Sequence, residues 1–158
     1  MTSAAEGGAH EPQRFSRSGP AGAIFSQPMD PGQLSRVVTD VLGTDANVVA
    51  VYLFGSRARG TARAESDVDL GVVYRSSPAP TLLAQPFEAQ ARLSAELRAP
   101  VDLVVMNTAP VDLIHRILRD GELVLEADRS RRIAFEVQAR NQYFDLLPIL
   151  QRYRRRSA

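Results

Sequence analysis

The sequence predicts an α/β protein of α+β arrangement, a small mixed β-sheet with helices packed against it. Three observations carry that reading. Short, β-rich apolar runs alternate with stretches of helical spacing, and glycine, proline or aspartate punctuates the joints between them. A chain of 158 residues with 44% hydrophobic residues is also long enough for one real core and too short for two domains of ordinary size.

Residues 1–29 are rich in Gly, Ala, Ser and Pro, with Phe15, Ile24 and Phe25 as their sizeable apolar groups. Such a segment buries too little to offset its ordering entropy, and a flexible extension is expected. From Pro31, the residues Leu34, Val37, Val38, Val41 and Leu42 fall at helical spacing, with Gly43 placed to stop the helix. Val48 to Phe54 reads as a strand buried on both faces that stops at Gly55. Asp67 to Tyr74 is a second strand candidate and Val101 to Met106 a third. Between them Phe87, Ala91, Leu93 and Leu97 suit a helix opened by Pro86 and ending near Arg98. After Pro110 comes a short helix closed by Gly121, then the small strand ELVLEA. Asp128 caps a long helical stretch carrying Ile133, Val137, Phe144, Leu147 and Leu150, which Pro148 is expected to bend or divide. The expected division is therefore an extension over 1–29, a core over 30–127, and a helical segment of the same domain over 128–158. The apolar stripe of that last segment reads first as a core face and second as a partner interface.

Composition removes whole classes of chemistry. All 19 basic residues are arginine, so a Schiff-base lysine and a Gly-Lys-Ser/Thr phosphate loop are both excluded. Cysteine is absent, which excludes thiol nucleophiles, disulfides and thiolate metal sites. The two histidines are His10, in the extension, and His115, which reads as a surface helix residue beside Arg116 and Arg119. Carboxylates are left to do the chemistry. A net charge of +1 gives no global attraction to nucleic acid, and the terminal Arg152, Arg154, Arg155 and Arg156 read as a solvated helix end. No apolar run is long enough to span a membrane and no signal-peptide plan opens the chain, so a cytoplasmic location is expected.

Leu53 to Leu70 reads LFGSRARGTARAESDVDL, and each part has a physical task. Gly55 and Ser56, at the end of a buried strand, let the backbone approach a triphosphate with bare N–H groups and one hydroxyl. Arg57, Arg59 and Arg63 follow, offering guanidinium forks that pair with phosphate oxygens; Arg57 and Arg59 are the candidates for the nucleotide. Asp67 and Asp69 are two apart, so on a strand both carboxylates leave one face, with Gly71 next on that face to leave space beside them. At about 5 Å and an effective dielectric near 20 their repulsion is roughly 3 kcal/mol, which a cation would relieve. Hard oxygen ligands without sulfur suit magnesium or manganese. Asp102 is a single acid in the third apolar run. If that strand neighbours the second, three acids meet, as a two-metal displacement requires, and Asp102 becomes the candidate base for the attacking hydroxyl.

Taken singly, a Gly-Ser pair is a turn, an Asp-X-Asp a solvated strand end, and three arginines a wet face. Their order and spacing favour the site. Gly55-Ser56-Arg57-Ala58-Arg59-Gly60, five residues, then Ser66-Asp67-Val68-Asp69-Leu70 resembles the signature of the DNA polymerase β-like nucleotidyltransferase superfamily. It looks like the minimal nucleotidyltransferase branch, which pairs with HEPN-domain proteins in prokaryotic toxin–antitoxin modules. The order of elements from Leu34 to Leu125 is also similar. The resemblance implies Mg²⁺-dependent adenylyl transfer from ATP onto a tyrosine of a HEPN toxin, silencing its RNase activity. Two alternatives stay open. One is transfer to a small molecule such as an aminoglycoside, although the enzymes of that kind carry a larger helical domain after the sheet, whereas 30 residues follow Asp128 here. The other is an antitoxin or nucleic-acid-binding repressor that acts by occupancy, with a vestigial site.

Overall fold

A computed structural model describes residues 30–63, 66–79 and 85–156. The extension expected over 1–29 lies outside them. Helix α1 (Pro31–Leu42) begins with proline in its first turn and Asp30 as its cap, the carboxylate accepting from the Gly32 amide. Four strands follow the expected runs: β1 (Val48–Phe54), β2 (Val68–Tyr74), β3 (Val101–Val105) and β4 (Glu122–Glu126). A single helical turn, α2 (Gly55–Ala58), replaces the expected simple turn after β1. Helix α3 (Phe87–Leu97) ends at Arg98, a non-glycine residue in the left-handed region at φ 50°. Helix α4 (Val111–Asp120) stops at Gly121. Helix α5 (Arg129–Arg156) opens with the Asp128 carboxylate accepting from the Arg131 amide. It continues through Pro148, so that residue does not divide it.

The sheet order is β3-β2-β1-β4. β1 runs antiparallel to both β2 and β4, whereas β2 and β3 run parallel. The sheet is thus mixed, as expected. Alternation along the strands separates two cores. Val48, Val51 and Leu53 of β1, Val68, Leu70 and Val72 of β2, and Val101, Leu103 and Val105 of β3 pack with α1 and α3. Val49, Ala50, Tyr52 and Val73 pack with Met106, Ile114 and Ile117, and with Ala139 of α5. Gly71 belongs to this second core. A side chain there would come within 2.8 Å of the Met106 sulfur, so the glycine makes room for Met106 rather than for open space beside the acids.

The apolar stripe of α5 also departs from expectation. Ile133, Val137 and Phe144 are 43%, 49% and 56% exposed. They share one helical face, and the face turned to the sheet carries Arg132, Phe135, Glu136, Ala139 and Tyr143 instead. The Tyr52 hydroxyl donates to Glu136 at 2.6 Å, and Arg132 reaches both Glu126 and Glu136 at 2.5 Å. Burial and the Glu136 carboxylate together push the Tyr52 phenol far above its usual range, so it acts as a fixed donor. Helix α5 is therefore anchored by a polar clamp, which a search for apolar periodicity passes over.

Candidate active site

The three predicted acids lie at one end of the sheet. β1 finishes at Phe54, and β2 and then β3 begin at that same end of the sheet. In the parallel pairing Asp69 lies opposite Asp102 in register, so both side chains leave the same face, the one covered by α4 and α5. Asp67 stands two residues before Asp69, just ahead of β2. Asp67 and Asp102 are exposed and Asp69 is half-buried. Burial raises the Asp69 carboxyl above its usual range, and the negative charges of Asp102 and then Asp67 raise it further. Arg59 and Arg57 act in the opposite sense on it. Each acid on the two strands is thus felt by the half-buried one between them.

Gly55 fixes how closely the turn approaches. Its φ is 72°, and a side chain there would overlap the Asp69 carboxylate. No other residue fits that position without moving Asp69. Ser56 follows in the same turn, and its carbonyl accepts from the Thr61 amide at 3.0 Å and from the Thr61 hydroxyl at 3.3 Å. The three predicted arginines do not all face outward. Arg57 turns back on the chain: its Nε donates to the carbonyls of Ser66 at 3.1 Å and Asp67 at 3.2 Å, and its terminal nitrogen also donates to Ser66. Arg59 is exposed. Arg63 is exposed too, and its amide donates to the Ser66 hydroxyl at 2.8 Å.

The donor set of Asp67, Asp69 and Asp102 has the chemistry of a hard divalent ion site, three carboxylates with no sulfur or imidazole. Among the described residues, however, no three such side chains are gathered into a ready-made cage. The acids lie on an open edge. A groove of about 510 Å³ opens at the far end of β2, lined by Asn47, Tyr74, Phe87 and Arg92 among others, and no predicted site residue borders it.

The family described as Polymerase beta, Nucleotidyltransferase matches residues 37–130, more than half of the chain. The protein belongs to the polymerase beta nucleotidyltransferase family. Its matched span covers every strand and the predicted site residues from Gly55 to Asp102. No curated protein matches the sequence. Among solved structures, this nucleotidyltransferase is similar to a chain of a toxin–antitoxin complex with AMP-PNP, at 22% identity over 78% of this chain and 94% of that one, TM-score 0.64. It is also similar to a chain of a tri-AMPylated Shewanella oneidensis HEPN toxin in complex with an MNT antitoxin, at 20% identity, 78% and 95% coverage, TM-score 0.63. A chain of the MntA–HepT toxin–antitoxin pair is similar at 19% identity, 78% and 95% coverage, TM-score 0.62. At such identities the likeness establishes the fold.

Two features of this nucleotidyltransferase escaped the sequence reading. The first is the inward use of Arg57, which no residue type signals because its partners are main-chain carbonyls. The second is the stacking of half-buried His115 on Tyr143, with ring centroids 3.6 Å apart. The pair lies 28 positions apart on two helices, so no local pattern announces it. No described helix is long and apolar enough to cross a membrane.

Proposed function

We propose that the protein is an antitoxin-type adenylyltransferase that moves AMP from ATP onto a tyrosine hydroxyl of a HEPN-family RNase toxin and thereby silences it. The observation that carries this reading is the parallel pairing that sets Asp102 opposite Asp69, beside a Gly55 turn that no side chain could occupy. Family membership supports nucleotidyl transfer, and the similar folds in complexes with AMP-PNP and with an AMPylated HEPN toxin support the nucleotide and the acceptor.

The triphosphate lies along Gly55 and Ser56, where backbone N–H groups and the serine hydroxyl donate to its oxygens, with Arg59 adding charge. Asp67, Asp69 and Asp102 would hold two Mg²⁺ or Mn²⁺ ions, whose positive charge would offset the negative charge that builds up during the transfer. Asp102 accepts the proton of the tyrosine hydroxyl. The tyrosine oxygen then bonds to the α-phosphorus, the bond from that phosphorus to the β-phosphate oxygen breaks, and pyrophosphate leaves. The open edge around the acids leaves room for a protein to bring its own tyrosine. The reaction belongs in the cytoplasm, where ATP and the RNA substrates of such a toxin are found.

The test is to incubate the purified protein with Mg²⁺ and each labelled nucleoside triphosphate, with and without a HEPN partner. Label from ATP should appear on a tyrosine of the partner. Label on an aminoglycoside without any partner, or silencing of the partner with no label, would overturn the proposal.

A further inference from the structure

We infer that Arg57 is a positioning residue for the first acid, Asp67, rather than a phosphate ligand. The inference rests on the reading of Asp67 as a metal-binding acid. Arg57 is half-buried and directs its guanidinium along the backbone of Ser66 and Asp67, with Nε shared between the two carbonyls and the terminal nitrogen on Ser66. Charge-assisted hydrogen bonds of this kind hold geometry well.

The surroundings show why such a strut is needed. Asp67 lies outside the β2 ladder, which starts at Val68, whose amide donates to Pro100 at 2.8 Å. The backbone before it is shaped by a turn in which the Ser66 amide donates to the Arg63 carbonyl at 3.0 Å and the Ser66 hydroxyl accepts from the Arg63 amide at 2.8 Å. That turn is tied to the Gly55–Ser56 turn by Arg57. The phosphate-facing turn and the acid-bearing strand end are therefore linked through one side chain. Arg59, exposed and with the larger effect of the two arginines on the Asp69 carboxyl, is left to meet the nucleotide.

Three measurements on the full chain separate the roles: Mn²⁺ binding followed by the paramagnetic resonance of free Mn²⁺, binding of a fluorescent ATP analogue in EDTA, and thermal unfolding. Arg57→Gln should weaken Mn²⁺ binding by about 10–100-fold, the usual cost of removing a group that orients a ligand, and leave analogue binding in EDTA unchanged. Arg57→Lys, which keeps a charged donor for one carbonyl, should recover part of the Mn²⁺ affinity and guards against a folding defect in the glutamine variant. Arg59→Gln should do the reverse, losing the analogue in EDTA and keeping Mn²⁺. The inference falls if Arg57→Gln loses the analogue as Arg59→Gln does while Mn²⁺ affinity stays intact. A wild-type chain that binds the analogue and no Mn²⁺ would remove the metal reading itself, and this inference with it.

Discussion

The two faces of the sheet are built by different rules. The face under α1 and α3 is apolar throughout, from Leu34 and Val38 to Leu93 and Leu97. The face under α4 and α5 mixes a smaller apolar core with the Tyr52, Arg132, Glu126 and Glu136 clamp, and it carries Asp69 and Asp102 at its end. One face supplies cohesion through burial, which is non-directional and tolerant of sequence. The other fixes positions through directional bonds, which a site with geometric demands requires. Changes on the first face should therefore cost stability and spare chemistry, and changes at the acid end of the second should do the opposite.

The largest effect should come from Asp67→Asn, which is expected to lower label transfer from ATP to the HEPN partner on the order of 10³-fold or more while leaving the unfolding temperature unchanged. A large fall in that temperature would break the contrast. Leu93→Ala, on a fully buried α3 side chain, should cost about 2–5 kcal/mol in denaturant titrations and leave turnover per folded molecule intact. Gly55→Ala falls between the two. Its left-handed backbone should cost about 1–2 kcal/mol, and the overlap with Asp69 should reduce transfer more than that strain alone would suggest. Tyr52→Phe removes one hydrogen bond of the clamp and should cost about 1 kcal/mol in thermal or chemical unfolding, since Arg132 continues to satisfy Glu136.

The smallest effect is on pH dependence, and here two acids should behave with opposite sign. The Asp69 carboxyl is raised above its usual 3.8, chiefly by burial and by Asp102. The folded state then binds its proton more tightly than the unfolded one, so its contribution favours folding in acid and is lost as pH rises through the raised value. The Asp128 carboxyl is held below 3.8, first by the Arg131 amide and also by Arg75. Its contribution is present above 3.8 and is lost on acidification. Asp69→Asn should therefore gain stability relative to wild type as pH climbs above about 4. Asp128→Asn should instead fall behind wild type at lower pH, as pH climbs toward about 4, with a constant deficit above it, and only weakly, because exposed pairs are screened.

Much of this arrangement is legible in the sequence, for identifiable reasons. The run VVAVYLF is apolar at every position because β1 is covered on both faces, so strand and burial are read together. Gly55, Ser56, Asp67 and Asp69 fall within fifteen positions of the chain, and the strand run after Ser66 places Asp69 on β2 with Asp67 just ahead of it. Asp102 is different. It joins them through β2 and β3 pairing in parallel across more than thirty residues, a non-local fact that the sequence supports only through the acid in an apolar run. The single turn of α2 is too short for any periodicity to register. The sheet-facing side of α5 is misread because Arg132 and Glu136 point inward to Tyr52 while Ile133 and Val137 point out, the reverse of what hydrophobic spacing predicts. Pro148 was expected to bend or divide α5, and it does not divide it, since helix continues on both sides.

The role of the acid on the neighbouring strand is the part of the account most exposed to test. Mass spectrometry of a HEPN partner purified after co-expression would decide it. Wild type should leave AMP on a partner tyrosine and Asp102→Asn should leave that tyrosine bare, with the variant as stably folded as its parent. Equal modification by both would show that Asp102 takes no part, and the proposed proton acceptor would be wrong.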